Sequence, residues 1–150
     1  MLINVNNSFS IFCANDVCIW MDPWVGTANY GSWAALYAES EFEKFIASNP
    51  YPLPDLVYIS HLHTDHYDVD FLNFLKEHTD LVVVIKDFKD GRLRKRILEE
   101  VNPSEVICLH EYENYEFRGV KLMIVPQVSA SSADTENQLE YDLDTSLIIE

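Results

Sequence analysis

The sequence predicts a mixed α/β domain in which helices and sheet strands pack in layers. Short apolar segments that are typical of strands alternate with segments whose apolar residues recur at helical spacing. Hairpins, marked by turn residues between two apolar segments, are predicted near the start and again toward the end. With 150 residues and 48% hydrophobic content, the chain is long enough to bury a substantial core. Residues 1–150 are therefore predicted to form a single domain.

The first third of the chain is predicted to contain a hairpin, a loop and a helix. In "FSIFCANDVCIWMDP", two strands flank the turn "AND", and the second strand, residues 17–21, leads to Asp22. The next segment, "WVGTANYGSW", contains two glycines and predicts a loop. Apolar residues at helical spacing then predict a helix over residues 33–48, which the prolines of "NPYPLP" end.

Strands and helices alternate in the prediction for the rest of the chain. "DLVYIS" is a predicted buried strand, Asp68 is predicted to cap a helix, and "LVVVIK" is the next strand. A further helix is predicted over about residues 92–101, and an Asn-Pro pair ends it. "EVICL", "YEF" and "VKLMIV" are predicted strands, the last two joined by an Arg-Gly turn. A polar loop then leads to a strand, "TSLIIE". No turn or cap follows that strand, so the chain is expected to be part of a longer fold.

Charge and hydropathy limit the classes of partner. Twenty-five acidic residues against ten basic ones give a formal net charge of −15, which disfavours binding to nucleic acid. No apolar run reaches the roughly 20 residues of a membrane helix, and the N-terminus lacks the pattern of a signal peptide. We therefore expect a cytoplasmic protein with no membrane partner. Six basic residues between Lys86 and Arg96 could meet an anionic ligand, but a solvated helix face is favoured.

The cysteine pattern predicts no covalent or metal framework. Cys13, Cys18 and Cys108 are odd in number and lack CxxC spacing, so neither a disulfide framework nor a cysteine zinc site is indicated. We expect three reduced, mostly buried thiols.

Three of the five histidines lie within six residues, in "YISHLHTDHYD" (residues 58–68). Alternate side chains of an extended backbone share a face, so His61 and His63 can point at one metal ion. Asp65 and His66 follow after the chain turns, and they could bind a second ion about 3.5 to 4 Å from the first. The spacing favours two half-sites on one strand-to-helix loop over a polar loop of chance composition.

These motifs carry a resemblance to a known superfamily. "HLHTDH" after an apolar strand resembles the signature of the metallo-β-lactamase superfamily, and "IWMDPW" is similar to its upstream strand that ends in an aspartate. "DPWVG", "GSW", "LVYISHLHTDHYD" and "DTSLIIE" resemble the branch that includes cytidine monophosphate-sialic acid hydroxylase, over residues 17–150. The resemblance implies the N-terminal half of an αββα sandwich with a mixed sheet.

The resemblance also implies roles for five residues. His61 and His63 would hold the first metal, Asp65 and His66 the second, and Asp22 would support the histidine loop rather than serve as an ordinary turn residue. One or two zinc ions are implied, with iron or manganese as alternatives. In hydrolytic members the ions lower the pKa of a shared water to about 7, which implies attack by hydroxide at a site where Asp65 is the candidate catalytic residue.

The sequence departs from the family pattern in its later part. Hydrolytic relatives have a third histidine near "VPQVSA", where this chain has Gln127 and Ser129. The family's bridging aspartate and last histidine come from the second half of the fold. We expect the missing ligands from a longer chain or from a second copy in a homodimer. His78 and His110 are expected to be ordinary structural or surface histidines.

Three functions remain open from the sequence. The leading one is a metal-dependent hydrolase that acts through a metal-bound hydroxide on a small anionic or sugar-derived substrate, a class that follows from the branch resemblance. Trp20, Trp24, Tyr30 and Trp33 could stack on a sugar or base, although a place in the core is favoured. The second is an iron-dependent oxygenase-like member, with no Rieske iron–sulfur centre expected within this chain because the cysteines lack nearby histidines. The third is a truncated or degenerate domain without catalysis.

Overall fold

A computed structural model describes residues 1–28, 30–35, 41–48, 51–127 and 144–150 of the chain. In chain order its strands and helices are β1 (Leu2–Asn4), β2 (Ser10–Ala14), β3 (Val17–Met21), β4 (Thr27–Ala28), β5 (Trp33–Ala34), α1 (Phe42–Ser48), β6 (Leu56–Ile59), α2 (Val69–His78), β7 (Val82–Lys86), α3 (Arg92–Arg96, continued by a π-helical turn Ile97–Val101), β8 (Glu105–Leu109), β9 (Tyr115–Phe117), β10 (Val120–Pro126) and β11 (Thr145–Ile149).

The main sheet is mixed and has six strands in the order β1-β2-β3-β6-β7-β8. The first three strands pair antiparallel, whereas β3, β6, β7 and β8 run parallel to one another. Parallel strands end at the same edge of a sheet, and ligand sites in α/β folds form at that edge. Asp22 follows β3 there, and the histidine-rich segment follows β6.

Both faces of the main sheet are covered. The second sheet, β11-β10-β9, is antiparallel, and its apolar residues form one core cluster with Ile19, Leu56 and Tyr58. The intervening residues of the same strands, such as Trp20 and Val57, point to the opposite face and pack against the helices. Burial on both faces explains why β3 and β6 are almost continuously apolar. The layers are therefore helices, main sheet and second sheet, and the predicted α/β fold class is confirmed.

Several predicted turns and caps are confirmed. The "AND" turn places Asn15 and Asp16 at φ 51° and 60°, as a two-residue hairpin turn with a left-handed backbone requires. The Arg118-Gly119 turn has the same character, with φ 48° and 83°. Asp68 caps α2, since its Oδ1 accepts a hydrogen bond from the backbone N of Phe71 at 3.0 Å.

The helix predicted over residues 33–48 is wrong in its first part. Trp33 lies in β5, which pairs with β4 in a small hairpin, and α1 begins only at Phe42. Gly31, at φ 80°, lies in the connecting turn, and the backbone N of Ala35 donates to the carbonyl of Gly26 at 2.7 Å. Strand pairing therefore satisfies the backbone groups that a helix would have used. Residues 36–40 of the prediction lie outside the described residues.

The prediction of three reduced thiols is also wrong. Cys13 and Cys18 form a disulfide, while Cys108 is free and half-buried. The two joined cysteines are directly opposite each other in the β2–β3 register, which brings their side chains together on one face of the hairpin. The spacing of five residues around a two-residue turn was the signal for this pairing.

The basic residues between Lys86 and Arg96 do not share one environment. Lys86 is buried at the end of β7, and its Nζ lies 2.6 Å from Oε1 of Glu111. Arg96, on α3, pairs with Glu100 at 2.9 Å, an arrangement typical of an exposed helix face. Among the described residues, no helix is long and apolar enough to span a bilayer.

Candidate metal centre

Asp22 forms the base of the site at the end of β3. Its backbone N continues the parallel ladder to the carbonyl of Tyr58 at 2.8 Å, and its φ of 46° turns the chain sharply out of the strand. Oδ1 accepts from the backbone N of Ser60 at 2.7 Å, while Oδ2 accepts from Ser60 Oγ at 2.8 Å and lies 2.9 Å from Nδ1 of His66. Asp22 is only 7% exposed, so these bonds are shielded from water. The aspartate therefore ties β3 to the start and the end of the histidine segment.

Thr145, at the start of β11, also binds Ser60, the residue that follows β6. Its hydroxyl donates to the carbonyl of Ser60 at 2.8 Å, and Tyr58 Oη lies 2.5 Å from Thr145 Oγ1. Since the threonine hydrogen is used on Ser60, the tyrosine must donate to the threonine oxygen. The second sheet thus contributes directly to the position of the residue before His61.

His61 and His63 face one another through one nitrogen each. Nε2 of His61 lies 2.8 Å from Nδ1 of His63, and the two rings are nearly perpendicular at 77°. His61 is 4% exposed because it continues the buried strand β6. The predicted convergence of these two side chains is present in the structure.

Asp65 and His66 form a second pair after the chain has turned. The turn is closed by the carbonyl of His63, which accepts from the backbone N of His66 at 3.0 Å and of Tyr67 at 2.7 Å. Nε2 of His66 lies 3.5 Å from Oδ2 of Asp65, while Nδ1 of His66 is used by Asp22. The Ser8 hydroxyl donates to the carbonyl of Asp65 and fixes this turn against the loop before β2.

The acidic surroundings perturb one of these histidines. Burial lowers the pKa of His66, but the hydrogen bond and negative charge of Asp22, together with the charges of Asp65 and Asp144, outweigh it and raise that pKa above its ordinary value. Tyr58 is also perturbed, because burial raises the pKa of its hydroxyl well above the usual range. This phenol therefore stays protonated and remains a hydrogen-bond donor.

Asp144 is a neighbour of the site that the sequence analysis missed. Its Oδ1 lies 3.4 Å from Nδ1 of His61, and the hydrogen bond with His61 lowers the pKa of the Asp144 carboxyl, although partial burial opposes this. The backbone carbonyl of Asp144 is held by the N–H of Gln127 at 2.9 Å. Ser8, Ser60 and Thr145 were missed as well. All of these contacts join residues far apart in sequence, except Ser60, which directly precedes the histidine motif.

The predicted residues are brought together as pairs rather than as a closed shell. Within the described ranges, no three histidine, cysteine, aspartate or glutamate side chains surround one point as a complete metal site would. Gln127 lies at the end of β10, and Ser129 lies outside the described residues. His78 bonds the carbonyl of Phe74 at 2.8 Å at the end of α2, and exposed His110 lies 3.4 Å from Asp87.

Two cavities are relevant to a ligand, one beside the first pair and one at the β4–β5 hairpin. One, of about 190 Å³, is lined by His63, Tyr67 and Arg96 among others. The other, of about 440 Å³, is lined by Asn6, Asn7, Trp24, Trp33, Ala34 and Ala35. Trp20 and Trp24 are buried as the core prediction had it, whereas Tyr30 and Trp33 are exposed.

Solved structures share this arrangement of sheets and helices. CmlA, a diiron β-hydroxylase from Streptomyces venezuelae, matches with a TM-score of 0.68 at 16% identity, over 98% of this chain and 26% of that chain. Igni18, a metallo hydrolase from Ignicoccus hospitalis, matches at 0.62 and 17% identity, over 99% of this chain and 55% of that one. The isothiocyanate hydrolase from Delia radicum gut bacteria matches at 0.61 and 16% identity, over 99% and 57%. The chain has the metallo-β-lactamase fold.

The similarity of this chain to known proteins is weaker in sequence than in structure. No family model matches the chain. A protein of Mycolicibacterium smegmatis described as a Rieske 2Fe-2S iron-sulfur protein is 32% identical over 76 residues, which are 51% of this chain and 14% of that protein. This chain therefore spans a small part of that relative, and between 26% and 57% of the three solved structures.

Proposed function

We propose that the chain is the metal-holding N-terminal part of a metal-dependent hydrolase that acts on a small anionic or sugar-derived substrate. His61 and His63 would hold one ion, and Asp65 and His66 a second. The observation that carries this proposal is the pairwise geometry: Nε2 of His61 lies 2.8 Å from Nδ1 of His63, and Nε2 of His66 lies 3.5 Å from Oδ2 of Asp65. Remaining ligands would come from the rest of a longer chain or from a second copy.

The donor set suits a divalent metal such as zinc. Two nitrogens bound to one tetrahedral zinc at about 2.0 to 2.1 Å lie about 3.3 Å apart, so the first pair needs to open by only about 0.5 Å. In the second pair, Asp22 occupies the Nδ1 side of His66 and leaves Nε2 beside Asp65. A carboxylate on the far nitrogen of a ligating histidine is a common way to orient the ring. Iron or manganese would suit the same nitrogen and oxygen donors.

A bound divalent ion would supply an activated water and polarise the bond to be hydrolysed. The chain's own residues orient the donors and keep their far sides dry. Burial of Asp22, Ser60 and His61 shields the hydrogen bonds behind the ligands from competing water, which keeps them strong. Asp65 contributes negative charge at the second pair, and this charge favours a cation there.

The linings of the two cavities support the substrate class. The half-exposed ring of Trp33 and the side-chain amides of Asn6 and Asn7 line a space of about 440 Å³, within the range of ordinary ligand pockets. An aromatic face with neutral amides suits an uncharged ring such as a sugar. Arg96 lines the cavity beside His63 and offers a guanidinium to an anionic group, in competition with Glu100.

Metal analysis tests the proposal directly. The purified 150-residue chain, dialysed against zinc, should retain at least one ion when measured by inductively coupled plasma mass spectrometry. His63→Ala should weaken the first ion, and Asp65→Asn the second, each by at least about tenfold in a titration that separates two events. His78→Ala is the matched control: it removes an imidazole that bonds the carbonyl of Phe74 at the end of α2 and should change nothing.

Two results would count against the proposal. A folded wild-type chain that binds no zinc, iron or manganese above the level of a chain carrying both His63→Ala and Asp65→Asn would support the non-catalytic alternative. Equal loss of both ions in each single variant would contradict the assignment to two pairs. Light scattering on the same samples shows whether ion binding accompanies dimer formation, which would favour a second copy as the source of further ligands.

An iron-dependent oxygenase is the second candidate. Two comparisons favour it: CmlA is a diiron β-hydroxylase, and the Mycolicibacterium smegmatis relative is described as a Rieske iron–sulfur protein. Iron and manganese can replace zinc with these ligands, so the donor set alone does not discriminate. Purification of the longest available chain from iron-supplemented cells would discriminate. Stoichiometric iron together with oxygen consumption that depends on a reductant would favour the oxygenase, and zinc with hydrolysis under nitrogen would favour the hydrolase.

A further inference from the structure

The side chain of Ser60 touches three of the site residues at once. Its Oγ lies 2.8 Å from Oδ2 of Asp22, 2.9 Å from Nδ1 of His61 and 3.1 Å from Nδ1 of His66. Ser60 is 1% exposed, so water does not substitute for any of these partners. The hydroxyl therefore contacts Nδ1 of both His61 and His66. In each ring, Nε2 is the nitrogen that faces the other member of the pair, and Nδ1 lies on the opposite side.

The hydrogens at this hydroxyl can be assigned by counting. A hydroxyl has one hydrogen to donate, and an ionised carboxylate can only accept. The Ser60 hydrogen is therefore used on Asp22, and its oxygen can take part in further bonds only as an acceptor. Both imidazoles must then donate to it, which places a hydrogen on Nδ1 of His61 and on Nδ1 of His66. Each neutral ring keeps its lone pair on Nε2 as a result.

The neighbouring carboxylates agree with this assignment. Nδ1 of His66 also lies 2.9 Å from Oδ2 of Asp22, and Nδ1 of His61 lies 3.4 Å from Oδ1 of Asp144. Each of these two carboxylates is an acceptor, so it can bond its Nδ1 only if that nitrogen carries a hydrogen. On the other side of the rings, Nε2 of His61 faces His63, and Nε2 of His66 lies 3.5 Å from Oδ2 of Asp65. This second distance is longer than an ordinary hydrogen bond, so Asp65 does not require a hydrogen on Nε2.

We propose that Ser60 is a positioning residue that sets the tautomer of His61 and His66 together, so that both Nε2 lone pairs point toward the metal pairs. The inference rests on the proposed function for its purpose, although the tautomers themselves exist without metal. A single hydroxyl group thereby orients one candidate ligand in each pair, His61 in the first and His66 in the second. Its loss would leave His61 with Asp144 as the remaining acceptor at Nδ1, and His66 with Asp22.

Replacement of Ser60 by alanine isolates the hydroxyl. The backbone N of Ser60 donates to Oδ1 of Asp22 and its carbonyl accepts from Thr145, and neither contact involves the side chain. Ser60→Ala therefore keeps the strand end attached on both sides. Ser60→Thr restores a hydroxyl and is the conservative rescue. Ser104→Ala is the matched control, because its hydroxyl bonds the carbonyl of Leu81 at 3.0 Å, outside the site.

Two readouts separate a positioning role from a merely structural one. The first is the nitrogen-15 chemical shifts of the imidazoles in the metal-free chain, at one fixed alkaline pH at which the rings are neutral. The wild type and Ser60→Thr should show hydrogen on Nδ1 of His61 and His66, whereas Ser60→Ala should show a mixture of tautomers for His61. The second is zinc affinity by competition with a chelator, which Ser60→Ala should weaken by about 10- to 100-fold and Ser60→Thr should restore.

Several outcomes would overturn the inference. Hydrogen on Nε2 of His61 or His66 in the metal-free wild type would refute it, whether or not any variant folds. Unchanged tautomers and zinc affinity in Ser60→Ala would refute it while the proposed function stood. A folded Ser60→Thr that behaves like Ser60→Ala would show that the hydroxyl is not the cause. A wild type with the expected tautomers but no metal binding would instead sink the proposed function.

Discussion

Replacement of Asp22 by asparagine removes one negative charge from the base of the site with little change in volume. Asp22 has φ 46°, a region that asparagine tolerates as well as aspartate does, so the substitution adds no backbone strain. The amide keeps one acceptor oxygen, but its NH₂ group must face either the backbone N–H of Ser60 or the hydroxyl and ring nitrogen on the other side. At least one donor is then left facing another donor.

The size of the effect follows from three hydrogen bonds. Asp22 accepts from the Ser60 backbone, the Ser60 hydroxyl and His66, and it is only 7% exposed. A hydrogen bond to a charged group contributes about 1.5 to 3 kcal/mol and a neutral one about 0.5 to 1.5, so loss of the charge costs about 3 kcal/mol over the three bonds. The amide is cheaper to bury than the carboxylate and offsets part of this. We expect a net loss of about 2 kcal/mol in the free energy of unfolding.

Urea unfolding of the metal-free chain, followed by tryptophan fluorescence, measures this loss. With a urea dependence of about 1 to 3 kcal/mol per molar, the midpoint should fall by about 1 M. Asp16→Asn is the matched control, since Asp16 also has a positive φ, 60°, but lies exposed in the hairpin turn. It should change the free energy by less than about 0.5 kcal/mol. A fall for Asp22→Asn no larger than that of the control would refute the role given to the buried carboxylate.

Further measurements address the rest of the molecule. In urea without reductant, one thiol per chain, that of Cys108, should react with a thiol reagent, and three after reduction, because the other two cysteines are joined; three before reduction would contradict the disulfide. In the folded chain Cys108 should react roughly tenfold more slowly than after unfolding, since burial raises the pKa of its thiol. Thr145→Val should lower the calorimetric stability by about 2 kcal/mol, because a buried carbonyl and the Tyr58 hydroxyl lose their partner. Leu75→Ala should cost about 2 to 5 kcal/mol in urea unfolding, since Leu75 is fully buried.

Local sequence signals predicted most of the fold. Turns at Asn15-Asp16 and Arg118-Gly119 depend on backbone conformations that few residue types adopt readily, so a short stretch of sequence indicates them. Strands β6 and β7 are apolar on both faces because they are covered on both faces, and that pattern is visible without a structure. The Asp68 cap is equally local, since its bond spans three residues.

Pairing between strands accounts for the wrong helix and cysteine predictions. Trp33 was predicted in a helix from its spacing to later apolar residues, but the β4–β5 hairpin offered its backbone a strand partner. The disulfide depends on the register of β2 with β3, which becomes certain only when the turn between them is placed. Strand β1 was not predicted because it has only three residues, of which Ile3 alone packs against the core.

The candidate metal centre shows the same contrast between local signals, which sequence reveals, and non-local contacts, which it does not. Its ligand candidates stand in one short motif and could be named from spacing, whereas the groups that hold them come from β3, from the loop before β2 and from β11. Asp144 lies 83 residues after His61 in the sequence, and no pattern around it indicates a contact with a histidine. Sequence reasoning therefore named the donor candidates and Asp22, but it missed the other residues that orient them: Ser8, Ser60, Asp144 and Thr145.

The orientation of the donors depends on packing between the two sheets. The strand end that carries Ser60 and His61 is held by Asp22 from the main sheet and by Thr145 from the second sheet. A positive φ at a non-glycine residue such as Asp22 costs about 1 kcal/mol or more and persists only where surrounding contacts enforce it. If the second sheet separated, every histidine and aspartate of the motif would remain, but the carbonyl of Ser60 would lose its partner. Affinity for metal should therefore fall with the stability of the sheet-to-sheet contact, even in variants that leave all the ligand candidates intact.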